Sequence, residues 1–212
     1  ENDTSARIVF LAPSRQVEHL ALPLLDHLAQ QAGEWGAQHI LAEVDEDSSA
    51  FQVLRQAGYA MYAWQRVWKL PRLVGDTPAR TWRSAGALDW PAVHSLHAQI
   101  VPALMHPVEN LPGQVTGLVC FNESGLQAFA LCNNGMRGTW LQPLVLPDSP
   151  CFPGEILSLL RAAGAQNSRD VYICVRSYQA WLSSSLEELG AEAGPRQAVM
   201  VKRLTKLVQE LQ

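Results

Sequence analysis

The chain has 212 residues, 48% of them hydrophobic and 17% charged, a length that suits one or two domains around an apolar core. A net charge of −4 and no basic run interleaved with aromatics exclude a general nucleic-acid binder. No apolar run reaches the length of a membrane span, so no membrane partner is expected.

The opening "ENDTSARIVF" has neither a basic n-region nor a cleavage site, so it does not read as a signal peptide. It begins without Met and reads as a processed end or the start of a fragment. Cys120, Cys132, Cys151 and Cys174 fit no C-x-x-C pair and no zinc ribbon. Three of them sit in or beside apolar strand-like runs and read as small buried thiols, and a reducing, cytoplasmic setting fits best.

In chain order, "RIVFLAP" (7–13) reads as a buried strand. "EHLALPLLDHLAQQAGEWGA" (18–37) is an amphipathic helix, with Leu24, Leu25 and Leu28 expected on its inner face and Pro23 in its first turns. "HILAEV" (39–44) is a second strand. A short helix follows, with Asp47 or Ser48 as cap, an apolar face of Ala50, Val53, Leu54 and Ala57, and Gly58 as stop. "AMYAWQRVWKL" (60–70) is a long alternating strand. Residues 71–79 carry two prolines and a glycine and read as a linker.

Beyond the linker, 80–85 is a short strand and 89–106 a helix capped by Asp89 and interrupted at Pro102. Strands at 114–122 and 126–133 flank "ESG", a hairpin signal. A strand at 139–147 precedes a helix at 154–166. A strand at 170–177, a helix at 180–190 and a long final strand at 196–207 complete the order. Strands alternating with helices imply βαβ crossovers and a mostly parallel sheet. The order from 39 to 70 recurs from 170 to 207 as strand, cap, short helix, glycine and long strand, an internal repeat.

On these stretches the chain resembles the GNAT superfamily of acyl-CoA-dependent N-acetyltransferases. The resemblance implies an α/β fold, a GNAT-like mixed sheet flanked by helices. It partitions the chain into residues 1–70, like the C-terminal half of a GNAT unit, the linker 71–79, and 80–212, like a complete unit. The family cradles the pyrophosphate of acetyl-CoA on backbone N–H groups at a helix N-terminus. The matching segment here is "PSRQVEHLALPLL", with Gln16 at the family's Gln/Arg position and Ala21 at its last small one. The resemblance therefore places cofactor contacts at Leu11, Arg15, Gln16, Val17, His19, Leu20 and Ala21. Val17 and His19 stand where the family usually has glycine, and Glu18 would repel a phosphate. In the second unit "PDSPCFPGEILSLL" has three prolines and no Arg or Gln, and reads as a poorer anion site.

Many family members carry a tyrosine four residues before the helix-ending glycine, as general acid toward the departing thiolate. Here those positions hold Leu54 and Leu186, so no catalytic residue is assigned. Tyr59 and Tyr178 do not match by position. Glu123, in the hairpin turn, reads as a solvated turn residue. His94 and His97 share a helix face but have no complementary ligands, so no metal is expected. His19 and His27 read as helix-surface residues. Ser183, Ser184 and Ser185 lack a nucleophile elbow. Trp64, Trp68, Trp82 and Trp140 read as core or interface residues.

The expectation is a GNAT-fold protein with weak or no acetyl transfer and a structural or binding role. The alternative is an active N-acetyltransferase acting on an amine of a small molecule or protein. The half-unit leaves a strand edge for the second unit of the same chain, a second copy of the chain, or a preceding segment to complete.

Overall fold

Apolar residues repeat every second position in the strands and every third or fourth in the helices, and the order of elements follows from that patterning. The computed structural model describes residues 5–10, 17–73, 75, 81–111, 117–136, 138–165 and 170–204, with backbone alone for 17–19. Among them the order is β1 (Ser5–Ile8), α1 (Val17–Glu34), β2 (His39–Asp45), α2 (Ser49–Gln56), β3 (Ala60–Leu70), β4 (Trp82–Ser84) and α3 (Trp90–Ile100). Then come β5 (Gly117–Asn122), β6 (Gly125–Asn134), β7 (Gly138–Val145), α4 (Ile156–Ala162), β8 (Asp170–Arg176), α5 (Leu182–Glu188) and β9 (Glu192–Arg203). No helix among the described residues is long and apolar enough to cross a membrane.

The chain packs into two units: residues 1–64 with 195–212, and residues 65–194. The repeat and the packing unit are different things. A repeat is an order along the chain, whereas a packing unit is whatever shares a core. Here the division falls inside β3 and β9, the two long strands that end the repeated stretches.

Unit 1 pairs β1 with β2 in parallel and β2 with β9 in antiparallel fashion, from His39↔Arg203 to Asp45↔Gln197. Its core holds Ala21, Leu25, Ile40, Leu54, Tyr59 and Met200. The buried stripe of α1 is Ala21, Leu25 and Ala32 with Ala29 half-buried, an i, i+4, i+8, i+11 run. That corrects the expected inner face. Leu25 is buried, but Leu24 is 58% and Leu28 39% exposed. The helix buries its alanines, which let it lie close to the sheet, and leaves these two leucines outside. Pro23 sits in the second turn and forgoes one backbone bond to the preceding turn.

Unit 2 contains residues 65–70 of β3, antiparallel to β8, then β7, β6, β5 and β4 in succession. Parallel pairing is confined to β1–β2 and β7–β8 among the described registers, so the sheet is mixed, as the resemblance implies, rather than mostly parallel. Alternation puts Leu118, Cys120, Ala128, Ala130 and Leu141 in one core. It puts Val119, Phe129 and Leu144 in another, beneath Val93, Leu96 and Ile100 of α3. Both faces of these central strands are therefore dry, which explains their near-continuous apolar runs.

Cys120 and Cys151 form a disulfide across 31 positions, tying β5 to the loop ahead of α4. This corrects the reading of the cysteines as thiols and removes its support for a reducing compartment. The two cysteines meet only because the strands bring distant stretches together, which no spacing rule detects. Trp82, the register partner of Cys120, donates its Nε1–H to the Cys151 carbonyl at 3.2 Å. Cys132 and Cys174 are buried and stand outside that disulfide. Reduction, or Cys151→Ser, is expected to lower stability by about 3–4 kcal/mol, the chain-entropy value for such a loop. Urea melts with and without reductant test this, and coincident midpoints would refute it.

Asp89 precedes α3, as expected, but its carboxylate does not cap that helix. It takes a fork of two hydrogen bonds from Arg83, at 2.7 and 2.8 Å, and one from the Gly86 N–H at 2.7 Å. The Arg83 guanidinium, then the Gly86 N–H, hold its carboxyl down to about 2. A depressed carboxylate pKa stabilises the fold above the unfolded value of 3.8, and that gain is lost as pH falls through about 2. Asp89→Asn should therefore be less stable than the parent near pH 7. The gap should close between about pH 4 and 2 in thermal melts, and a pH-independent gap would contradict this origin.

Candidate functional site

The first parallel pair ends early. β1 and β2 are in register from Ser5↔His39 to Ile8↔Ala42, and there the ladder stops. β2 runs on to Asp45, held on its other edge by β9. β1 gives way to Val9 and Phe10, which are 85% and 81% exposed. The two strands thus fork, and the fork opens on a cleft of about 260 Å³.

Ile8, Val9, Phe10, Val44 and Leu54 make its apolar lining, and Glu43, Asp45, Ser48 and Gln197 its polar lining. Each polar group already has local work. Glu43 accepts from Arg7 at 3.2 Å, and Asp45 accepts from the Gln197 amide at 2.9 Å. Ser48 is the N-cap of α2. Its hydroxyl donates to the Asp45 carbonyl at 2.7 Å and accepts from the Phe51 N–H at 3.3 Å. That cap fixes where α2 begins and so where Leu54, two turns on, meets the cleft.

Leu54 is thus both a core residue and a wall of the cleft. It sits four residues before Gly58, whose φ of +83° ends the helix in a conformation suited to glycine. This is the position at which the resemblance would place a proton donor, and leucine has none. Tyr59 does not substitute for one. It is buried in the unit 1 core, and its hydroxyl has no hydrogen-bond partner among the described residues. Burial, with Asp26 nearby, pushes it up to about 12.

The residues expected to touch a cofactor are brought together only in part. Leu11, Arg15 and Gln16 lie outside the described residues. Val17 and His19 fall in the first turn of α1. Leu20 points to solvent, and Ala21 packs into the core. Among the described residues that line the cleft, none has a basic side chain.

Unit 2 is built differently at the corresponding place. The loop after β7 turns Cys151 and Phe152 inward, and the Cys151 N–H is taken by Ser149 Oγ at 3.2 Å. Leu186 is fully buried. At the end of β8, Arg176 is buried with Nε 3.0 Å from Glu109, while its Nη1 donates to the Gln65 carboxamide oxygen. Cys174 also donates to that oxygen, at 3.3 Å. Tyr178 lies beside this network, and burial pushes its hydroxyl far up. A buried ion pair is costly to break from one side, because the remaining charge is left uncompensated. Gln65, Cys174 and Arg176 are single polar residues in apolar or alternating strands, and Glu109 lies in a bend ahead of β5. Arg176, the terminal residue of "DVYICVR", is the one with a legible signal.

Glu123 is an exposed turn residue, as expected. His97 and His106 stack with centroids 5.3 Å apart, and each ring places Nε2 on a backbone carbonyl. Among the described residues no group of His, Cys, Asp and Glu could hold a metal. Trp68 and Trp82 are core residues, while Trp64 lies beneath Arg196, whose guanidinium carbon is 3.9 Å from the ring centroid.

No protein-family model matches the chain, and no curated protein does. Solved structures do. An acetyltransferase of the GNAT family from Colwellia psychrerythraea superimposes with a TM-score of 0.52 at 14% identity, covering 95% of this chain and 79% of its own. A tandem GNAT protein from the clavulanic acid biosynthesis pathway gives 0.54 at 11% identity, covering 96% and 76%. A conserved protein of unknown function from Staphylococcus epidermidis gives 0.55 at 10% identity, covering 94% and 84%. The chain therefore has the fold of GNAT acetyltransferases, and at these identities the fold is what is shared.

Because Ser48 sets the start of α2, Ser48→Ala is expected to cost about 1 kcal/mol. The loss should be seen in chemical melts, and hydrogen exchange should quicken first at Phe51. An unchanged exchange rate there would show that the cap does not hold the helix.

Proposed function

We propose that the protein is a GNAT-fold binding or scaffold protein with weak or no acetyl transfer, and that the fork of unit 1 is its ligand cleft. The observation that carries this reading is Leu54 on the cleft wall. Acetyl transfer forms a bond from an amine nitrogen to the thioester carbon and breaks the carbon–sulfur bond. The amine loses a proton and the leaving thiolate gains one. A leucine at the wall can exclude water but can neither give nor relay that proton.

The open fork also supports a second reading, an active N-acetyltransferase in which water serves as the acid. The cleft is wide enough for an acyl-thioester arm, and Ile8, Val9 and Phe10 suit its apolar parts. On either reading acetyl-CoA is the ligand class the fold suggests. The tandem arrangement, one half-unit plus one full unit, belongs to this reading as well and is supported by the recurring element order.

Thermal shift with acetyl-CoA and with S-acetyl-pantetheine, which lacks the nucleotide diphosphate, tests the reading. A ligand at 100 times its dissociation constant stabilises by about 2.7 kcal/mol. Both compounds should raise the melting temperature to a similar extent, because the described residues of the cleft lining include no basic side chain. Acetylation of small amines should stay near background and rise at least tenfold in Leu54→Tyr. Efficient turnover by the parent protein would decide for the active enzyme. No shift with either thioester would remove the cleft as their site.

A further inference from the structure

The two parallel strand pairs end alike. Among the described residues β1–β2 has four residue pairs, Ser5↔His39 to Ile8↔Ala42, and β7–β8 has four, Gly138↔Asp170 to Leu141↔Ile173. Each begins at the first residue of both strands and stops at the same step. Counting on along the chain, Phe10 corresponds to Pro143 and Ser48 to Gln179. The units therefore carry the same fork with different contents.

In unit 2 the fork is filled from within. Gln179 is 1% exposed. Its Oε1 accepts from the Val145 N–H at 2.9 Å, and its Nε2 donates to the Pro143 carbonyl at 2.8 Å. Leu141, Pro143 and Val145 are alternate residues of β7, so their main-chain groups face the same edge. β8 serves that edge as far as Ile173 and then departs. The Gln179 carboxamide takes over with one acceptor and one donor, the pair a peptide group would present. In unit 1 the residue at the matching position is Ser48. Its side chain is too short to cross, and it is turned back to cap α2. That fork stands open.

We propose that the fork between β7 and β8 is a carboxamide-binding site whose resident occupant is Gln179, and that it accepts a small amide when that side chain is removed. The residue at this one position, serine or glutamine, decides which fork is open. The chemistry is set by the main chain: an N–H and a C=O on one strand edge, in a dry setting where an unfilled partner is costly. A ligand must therefore bring both an acceptor and a donor in one plane. A carboxylate, a ketone or an alkyl chain of the same size does not. The inference concerns unit 2 alone and stands whether or not unit 1 binds a thioester.

The test is excision and replacement. Gln179→Ala removes CH2–CONH2, and acetamide supplies it back. The variant should melt below the parent. Acetamide at tens of millimolar should raise its melting temperature by several degrees more than it raises the parent's. Acetone, which accepts but does not donate, should not. Gln179→Met, which fills the space without the polar groups, should melt low and ignore acetamide. Equal responses to acetamide in the parent and the alanine variant would overturn the proposal, as would a response to acetone of the same size. Should the alanine variant not fold, exchange at the Val145 amide decides the matter. It should be at least tenfold faster in Gln179→Met than in the parent, and equal rates would overturn the assignment.

Discussion

A strand that loses its neighbour must still satisfy its main chain, and both units are organised around that requirement. Each parallel pair persists for four residues and then forks. β2 tolerates the loss because β9 holds its other edge for all seven residues, from His39 to Asp45. β7 tolerates it because β6 is in register from Ala128↔Val145 to Asn134↔Thr139. A fork is therefore a rigid feature, framed by ladders on its outer side. Its fate rests on a single side chain just beyond the second strand. Where that residue is glutamine the gap is closed by a surrogate peptide group, and where it is serine the gap remains.

The surroundings reinforce the difference. In unit 2, two apolar cores clamp the sheet from both faces, and the disulfide fixes the loop after β7 to β5. The Arg176–Glu109 pair is buried against Gln65 at the end of β8. Every element bordering the β7–β8 fork is pinned, which suits a part that serves as framework. Unit 1 buries small residues, alanines on α1 and Ala42 and Ala198 on its strands. Small side chains bring helix and sheet together without filling the space past the fork, so the sequence that makes unit 1 thin also keeps its cleft.

What could be read in advance was local. The ends of β3 and α2, the Ser48 cap and the Gly58 stop follow from propensity and periodicity within a dozen residues. Counting back four residues from Gly58 gives Leu54, which lines the cleft. What escaped was long-range. Leu24 and Leu28 looked like core residues because a hydrophobicity pattern cannot tell which of two adjacent stripes faces the sheet. Cys120 and Cys151 meet through three strands and a loop. β9 pairs with β2, more than 150 positions away, rather than with strands closer in sequence. Gln179 is a lone amide in a polar turn, and nothing about its neighbours announces that it spans to another strand.

The chemistry of the open fork follows from its polarity. Among the described lining residues the charged groups are carboxylates, one held by Arg7 and one by Gln197, and the wall residue four before Gly58 is leucine. Carboxylates in a wall disfavour an anion beside them, whereas its apolar residues favour an uncharged group. On the proposed reading the fork recognises shape and does not move protons. Recognition without turnover needs only the first. It is preserved by backbone geometry, which tolerates wide variation in side chains, while proton transfer depends on one atom at one position. A fold that drifts in sequence therefore loses transfer before it loses binding, which is the condition proposed for unit 1.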